Sequence, residues 1–204
     1  GLPYRDACEY IHSTCVEITP IAASNVYVAS PYFSLVQCLH DVLGIPVPGD
    51  IAELAPLPNI SSFDELMTRL RARLHQVVAD GIAGTNASMM SRFYAGGFPL
   101  LSCFVNDCLA LGKDIDQGGA RHNWIEVSFV GLANLIDALA AIRLIVFEEK
   151  KVTLEKLRNA LWANFEGYGD IKRLLDRAPK YGTDDDRVDV MAQEVTSILR
   201  HECE

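Results

Sequence analysis

Cys15 and Glu17 stand two apart in His12-Ser13-Thr14-Cys15-Val16-Glu17-Ile18-Thr19-Pro20. The run is rich in β-branched residues, which favour extended backbone, and a proline closes it. Side chains two apart along a strand leave by the same face, so Cys15, Glu17 and Thr19 project together. Two readings are open. In one, Cys15 is a small core residue and Glu17 meets solvent. In the other, both point into a reaction chamber, with a sulfur and a proton acceptor side by side.

The surrounding elements must position that pair. Residues 15–21 read as a strand that ends at Pro20. A loop follows, then a helix from about Pro31 to Leu43 with proline in its first turn. Gly44-Ile45-Pro46-Val47-Pro48-Gly49-Asp50 ends this helix and opens a proline-rich connection to about Ile60. Ser62-Phe63-Asp64-Glu65 is a capping box, in which the serine hydroxyl binds the third helical N–H and the glutamate reaches back. Phe63, Leu66, Leu70, Leu74, Val77 and Val78 then recur at helical spacing. This helix is expected to reach about Phe93, with Gly81 and Gly84 as weak points. A further helix is expected over Leu100–Leu111, holding Cys103 and Cys108. A short strand follows around Asn123–Val127, and a strong helix over Gly131–Lys150. Thr153 caps the next helix, whose Leu154, Leu157, Leu161 and Phe165 form one stripe. Two shorter helices complete the chain, about Asp170–Ala178 and Asp185–His201. Trp124 and Trp162 are assigned to the core. The content is mainly helical with a few buried strands, as in a slice of an α/β architecture.

The chain has 204 residues, half of them hydrophobic and 22% charged, which describes a globular protein with a sizeable core. The formal charge of -9 argues against a nucleic-acid partner and against an anionic membrane surface, because both need a basic face. The longest apolar region, Val130 to Phe147, is interrupted by Asn134, Asp137 and Arg143, so it reads as a buried or amphipathic helix rather than a membrane span. The 6 cysteines form no C-x-x-C pair, and no His/Cys grouping has zinc-ligand spacing. That pattern fits free thiols in a reducing cytosol, and no metal site is expected. Asp184-Asp185-Asp186 lacks the spaced ligands of a calcium loop and reads as a helix N-terminus. Gly118-Gly119 supplies positive φ for a turn, after which Arg121, His122 and Asn123 lead into a strand. The chain starts at Gly1 with no targeting segment, and its abrupt ends are expected to be those of a piece of something larger.

Several blocks, in order, carry a resemblance. Cys15-Val16-Glu17 looks like the thiyl-radical finger of the glycyl radical enzymes, the pyruvate formate-lyase-like superfamily. "GKDIDQGGARHNW" at Gly112–Trp124 resembles the family's "GKD…GGA+YNF" block. The helical pair "GLANLIDALAAIRLIVFEEKKVTLEKLRNALWANFEGY" is similar to the one that follows it there. "APKYGTDDDRVD" at Ala178–Asp189 is similar to "APKYGNDDDYVD". On these blocks the chain is identified as an interior segment of that superfamily. The resemblance implies an α/β fold, a mainly helical segment of the ten-stranded α/β barrel of glycyl radical enzymes. Residues 1–204 would be part of the catalytic barrel domain. Within it, 1–60 would hold the cysteine finger and following helix, and 61–204 a helical part with one or two barrel strands. Nothing after Tyr181 resembles the family's glycyl loop of the R-V-x-G-Y type, so the radical-bearing glycine is expected outside this chain.

The resemblance gives the opening pair a role. A thiol S–H is weak enough to exchange hydrogen with a glycyl Cα and strong enough for the thiyl to abstract from an activated C–H. Cys15 would carry the thiyl, and Glu17 would take the proton of a substrate hydroxyl as general base. Burial beside a neutral thiol raises a carboxylate's pKa and strengthens it as a base. Departures narrow the chemistry. The formate-lyase uses two adjacent cysteines, whereas Thr14 precedes Cys15 here. Glycerol dehydratase-like members continue to "WHD", matched here by Tyr27, Val28 and Ala29, so that carboxylate is absent. Choline lyase-like members line the pocket with a threonine and a tyrosine, matched by Val28 and Tyr32. Thr19, Val28, Ala29 and Tyr32 are therefore the expected pocket residues, on a less polar wall than in either group.

The implied activity is a dehydratase or lyase acting on a hydroxylated or amino-substituted small molecule. The alternative is a truncated half-barrel that only packs against a partner. The implied cofactor is the glycyl radical, with none bound in this segment. The implied partners are a radical S-adenosylmethionine activating enzyme and a second copy in a homodimer. The parent enzyme is expected in the cytoplasm, free or inside a bacterial microcompartment. An isolated slice would expose apolar faces and aggregate.

Overall fold

The structure, a computed structural model, describes residues 2–12, 18–27, 31–46, 54 and 56–203. In chain order these form α1 (Tyr4–Cys8), β1 (Tyr10–His12), β2 (Ile18–Pro20), β3 (Ser24–Tyr27), β4 (Tyr32–Ser34), α2 (Leu35–Val42), α3 (Phe63–Tyr94), α4 (Pro99–Ser102) and α5 (Cys108–Leu111). They continue with a 3-10 turn (Ile115–Gln117), β5 (His122–Ile125), β6 (Ser128–Val130), α6 (Leu132–Ile142), a π-helical stretch (Arg143–Glu148), α7 (Leu154–Trp162), α8 (Gly169–Asp176) and α9 (Asp186–Glu202). The chain is a mainly helical α/β segment. It divides into two compact units, residues 1–32 with 79–128, and residues 33–78 with 129–204.

The second unit holds the larger core. Leu35, Leu39 and Leu43 around α2, Leu66, Leu70 and Leu74 of α3, and Leu135, Ile136 and Leu139 of α6 are almost wholly buried. Met191 and Val195 of α9 and Leu157 of α7 join the same cluster. Each helix contributes one apolar face at the 3.6-residue repeat, so burial of that face rather than helix propensity holds the unit together. β4 pairs with β6, and Phe33 meets Phe129 at a ring separation of 5.6 Å.

Local signals account for most helix ends. The Ser62 hydroxyl accepts the Glu65 N–H at 3.1 Å. The return contact goes one residue further back than expected, to the Ser61 N–H at 2.8 Å and the Ser61 hydroxyl at 2.9 Å. Thr153 caps α7 through the Lys156 N–H, and Asp185 caps α9 through the Arg187 N–H. α3 runs unbroken through Gly81 and Gly84.

Four expectations need correction. The helix expected from Pro31 starts at Leu35, because Tyr32 and Phe33 favour extended backbone and Ser34 supplies the cap. The helix expected over Leu100–Leu111 is two short ones, because Asp107 takes φ +78 between them. The helix after Gly131 is α-helical only to Ile142, then widens into the π stretch. There the Glu149 N–H bonds the Leu144 carbonyl at 2.8 Å, and Arg143 pairs with Glu148, five residues on, at 2.9 Å. Trp162 is 42% exposed, since it falls off the buried Leu154–Leu157 face of α7. In the first unit, Tyr94, Leu100, Phe104 and Leu109 are also exposed.

The Glu65 carboxyl is pushed down to about 2, first by the Ser61 N–H, then by Arg69 and the Ser61 hydroxyl. Its folded value lies below its ordinary value of 4.5, so the ion stabilises the fold above pH 4.5 and that contribution fades as pH falls toward 2. Urea unfolding midpoints measured across that window should fall less steeply in Glu65→Gln than in the wild type.

Candidate functional site

Among the described residues the strands form three two-stranded sheets, and two of them bear on the chain that flanks Cys15 and Glu17 in sequence. β1 and β2 are antiparallel, with Tyr10 opposite Pro20, Ile11 opposite Thr19 and His12 opposite Ile18. The Ile21 N–H to the Glu9 carbonyl, at 2.9 Å, extends the pairing by one step. Cys15 and Glu17 fall between the two strands in sequence and lie outside the described residues, as do Val28 and Ala29. Thr19 and Tyr32 are described. Thr19 Oγ1 is buried and finds no hydrogen-bond partner among the described residues. A buried hydroxyl left so costs about 1–3 kcal/mol, so its position favours a polar neighbour. Tyr32 is 58% exposed.

β3 and β5 form a parallel pair, Ser24 beside His122 through Tyr27 beside Ile125. The His122 N–H bonds the Ala23 carbonyl at 2.9 Å, and the Asn25 side chain donates to the Ile115 carbonyl at 2.9 Å. The chain arrives at the first pair through α1 and leaves it toward β3. Side chains at the two ends of β5 reach both of these stems.

On the arriving side, Asp6 is buried, and its Oδ2 lies 2.6 Å from His122 Nε2. Arg121 Nη1 stands 3.5 Å from Asp6 Oδ1, while Arg121 grips Asp107 with Nε at 2.9 Å and Nη2 at 3.1 Å. The His122 hydrogen bond holds the Asp6 carboxyl below its ordinary range against the opposing effect of burial, and Arg121 adds to the lowering. On the leaving side, the Ile18 N–H donates to Glu126 Oε1 at 3.0 Å. Ser24 Oγ then donates to the Pro20 carbonyl at 3.0 Å.

The sequence reading missed Asp6 and Glu126. Asp6 lies far from β5 in sequence, and its partner becomes visible only in the fold. Glu126 had one signal, a lone charge inside the apolar run Trp124-Ile125-Glu126-Val127. Arg121 and His122 were assigned to a turn and strand, and they also carry the Asp6 contact.

The Gly112–Trp124 block is a scaffold. Asp114 accepts the Phe98 N–H at 2.7 Å, Ser102 Oγ at 2.9 Å and the Asp116 N–H at 2.9 Å. Ser102 Oγ in turn accepts the Ile115 N–H at 2.9 Å. Burial works to raise the Asp114 carboxyl, and the bonds from Asp116, Ser102 and Phe98 outweigh it, leaving it below its usual range. Gly119 is needed for space, since a Cβ there would stand 2.2 Å from the Lys113 carbonyl oxygen. Asp116 binds Arg92 of α3 through Nε at 3.1 Å. Among the described residues no group of three or more His, Cys, Asp or Glu side chains converges as a metal would require. No described helix is long and apolar enough to cross a membrane.

Residues 1–204 match the family described as pyruvate formate lyase-like. The chain belongs to the glycyl radical enzyme superfamily. It is 34% identical over 198 residues to trans-4-hydroxy-L-proline dehydratase of Clostridioides difficile, covering 93% of this chain and 25% of that protein. The crystal structure of that hydroxyproline dehydratase with its substrate superposes at a TM-score of 0.87, with 31% identity over 99% of this chain and 26% of the other. The B12-independent glycerol dehydratase from Clostridium butyricum, in its glycerol-bound form, superposes at 0.85 with 29% identity, over 99% of this chain and 26% of the other. The chain thus spans about a quarter of the length of the relatives it matches. The fold is a mainly helical segment of the α/β barrel of glycyl radical enzymes, and the two relatives named here are dehydratases.

Asp114→Ala would remove the acceptor of the Phe98 and Asp116 N–H groups and leave Ser102 Oγ only the Phe98 carbonyl. It should lower the stability of the first unit by about 1–3 kcal/mol in chemical denaturation, while Ser91→Ala, on an exposed face of α3, should change it little.

Proposed function

We propose that this chain is the cysteine-finger segment of a glycyl radical eliminase, a dehydratase or lyase that removes a leaving group from a small hydroxylated or amino-substituted molecule. One observation carries the reading. The Cys15-Val16-Glu17 triplet falls between antiparallel partners closed by His12 and Ile18, in a chain that matches the superfamily from residue 1 to 204.

The glycyl radical, stored on a glycine beyond this sequence, supplies the unpaired electron. Cys15, as thiyl, takes a hydrogen atom from the substrate carbon that bears the retained hydroxyl or amino group, next to the carbon bearing the leaving group, forming S–H and a carbon radical. Glu17 accepts a proton from that hydroxyl or amino group, which gives an electron-rich ketyl-like or α-amino radical. This species expels the neighbouring group with its bonding electron pair. When the leaving group is hydroxide, the proton held on Glu17 completes a water molecule. The product radical then takes the hydrogen back from Cys15, which restores the thiyl, so the net change is loss of water. A carboxylate adds about 10²–10⁴-fold in such a role when it sits within hydrogen-bond reach of the proton. Enclosure in a barrel keeps water and oxygen from the radical.

Thr19 lies two residues beyond Glu17, and its buried hydroxyl, without a hydrogen-bond partner among the described residues, suits a polar substrate group. Val28, Ala29 and Tyr32 supply the less polar side of the pocket. The parent enzyme would need a radical S-adenosylmethionine activating enzyme and would work as a homodimer.

The parent enzyme, activated anaerobically and offered trans-4-hydroxy-L-proline, glycerol and related diols or amino alcohols, should turn over one of them. Cys15→Ala and Glu17→Gln should each nearly abolish that turnover with unfolding midpoints unchanged. Substantial turnover in either variant would remove that residue from the mechanism, and inactivity of both the wild type and its radical would favour a packing role.

A further inference from the structure

We infer that Glu126 is a positioning residue for the radical finger. The inference rests on the reading of Cys15 and Glu17 as the reacting pair. Glu126 touches neither substrate nor thiol in this account. It acts through the backbone of Ile18, the residue that follows Glu17, whose N–H it accepts at 3.0 Å.

The geometry gives that contact unusual leverage. Ile18 is the first residue of β2 and the partner of His12, the last residue of β1. Whatever fixes Ile18 fixes the point from which the reacting residues depart. Glu126 can do so because it sits directly after β5, whose backbone is itself held by β3 in parallel register. The opposite end of β5 secures the other stem through His122 and Arg121 on Asp6. The two ends of β5 therefore hold the chain on both sides of the Cys15–Glu17 stretch with side chains of opposite character, Arg121 and His122 at its start and Glu126 just past its end. A charged acceptor on a backbone N–H forms a shorter and stronger bond than a neutral one. The pull matters because reactive groups must meet within a few tenths of an ångström, and a misplacement of about 1 Å can cost on the order of 100-fold in rate.

The test uses the intact parent enzyme in two forms. In the enzyme before activation, amide hydrogen exchange at Ile18 should quicken roughly tenfold in Glu126→Ala, the equivalent of losing one charge-assisted bond. It should quicken less in Glu126→Gln, which keeps an acceptor oxygen but not the charge. The unfolding midpoint should not move in either variant. In the activated enzyme the readout is the electron paramagnetic resonance doublet of the glycyl radical in D2O. A relay through the Cys15 thiol replaces the glycyl hydrogen by deuterium and collapses the doublet. At equal radical content, collapse should be at least tenfold slower in Glu126→Ala and recover in Glu126→Gln. Wild-type collapse rates and unchanged Ile18 exchange in Glu126→Ala would overturn the positioning role. Collapse persisting in Cys15→Ala, or absent from the wild type, would instead overturn the reading of Cys15 on which the inference rests.

Discussion

The parallel pairing of β3 with β5 is the constraint on which the first unit depends. Without it, His122 and Glu126 have no fixed positions from which to hold Asp6 and Ile18. The pairing is itself built from below. Asp114 gathers the Phe98, Ser102 and Asp116 donors, Gly119 allows the Lys113 carbonyl to pass close by, and the chain is delivered to Ala120 and β5. Asn25 and the Asn106 N–H, bonded to the Ala22 carbonyl at 2.7 Å, pin β3 from its other side. The block Gly112–Trp124 therefore serves as a scaffold. Its residues build the platform from which His122 and Glu126 reach Asp6 and Ile18.

Polar contacts rather than apolar packing do much of this positioning. Among the described residues the buried cluster of the first unit is small, made of Cys108, Ile115 and Ala120 with Val105 against it. The large leucine core belongs to the second unit. A small core orders a backbone less firmly, and directional bonds to buried or half-buried carboxylates supply the missing precision. The exposed Tyr94, Leu100, Phe104 and Leu109 lie in the same unit.

Much of this was legible in the sequence, for physical reasons. Ser62, Thr153 and Asp185 announce helix starts because a short polar side chain satisfies backbone donors within one turn. The α3 stripe from Phe63 to Val78 repeats every 3.6 residues, and the helix passes Gly81 and Gly84 because two glycines cost less than breaking a long packed helix. The break at Asp107 was hidden, because the partner of its side chain, Arg121, lies 14 residues away. Apolar spacing over Leu100–Leu111 cannot report such a partner. The π stretch after Ile142 escaped for a similar reason, since Arg143 and Glu148 reveal it only by a five-residue spacing. The candidate pair Cys15 and Glu17 was read from the Cys-Val-Glu motif, whereas Asp6 and Glu126 emerge only when β1, β2 and β5 are seen together.

The most direct test is a crystal structure of the intact parent enzyme with trans-4-hydroxy-L-proline or glycerol bound. Cys15 Sγ and the Glu17 carboxylate should line one closed cavity, with Glu17 within about 2.6–3.2 Å of the substrate hydroxyl or amino group whose proton it takes. A Cys15 packed in an apolar core, with Glu17 turned to solvent, would contradict the roles proposed for them.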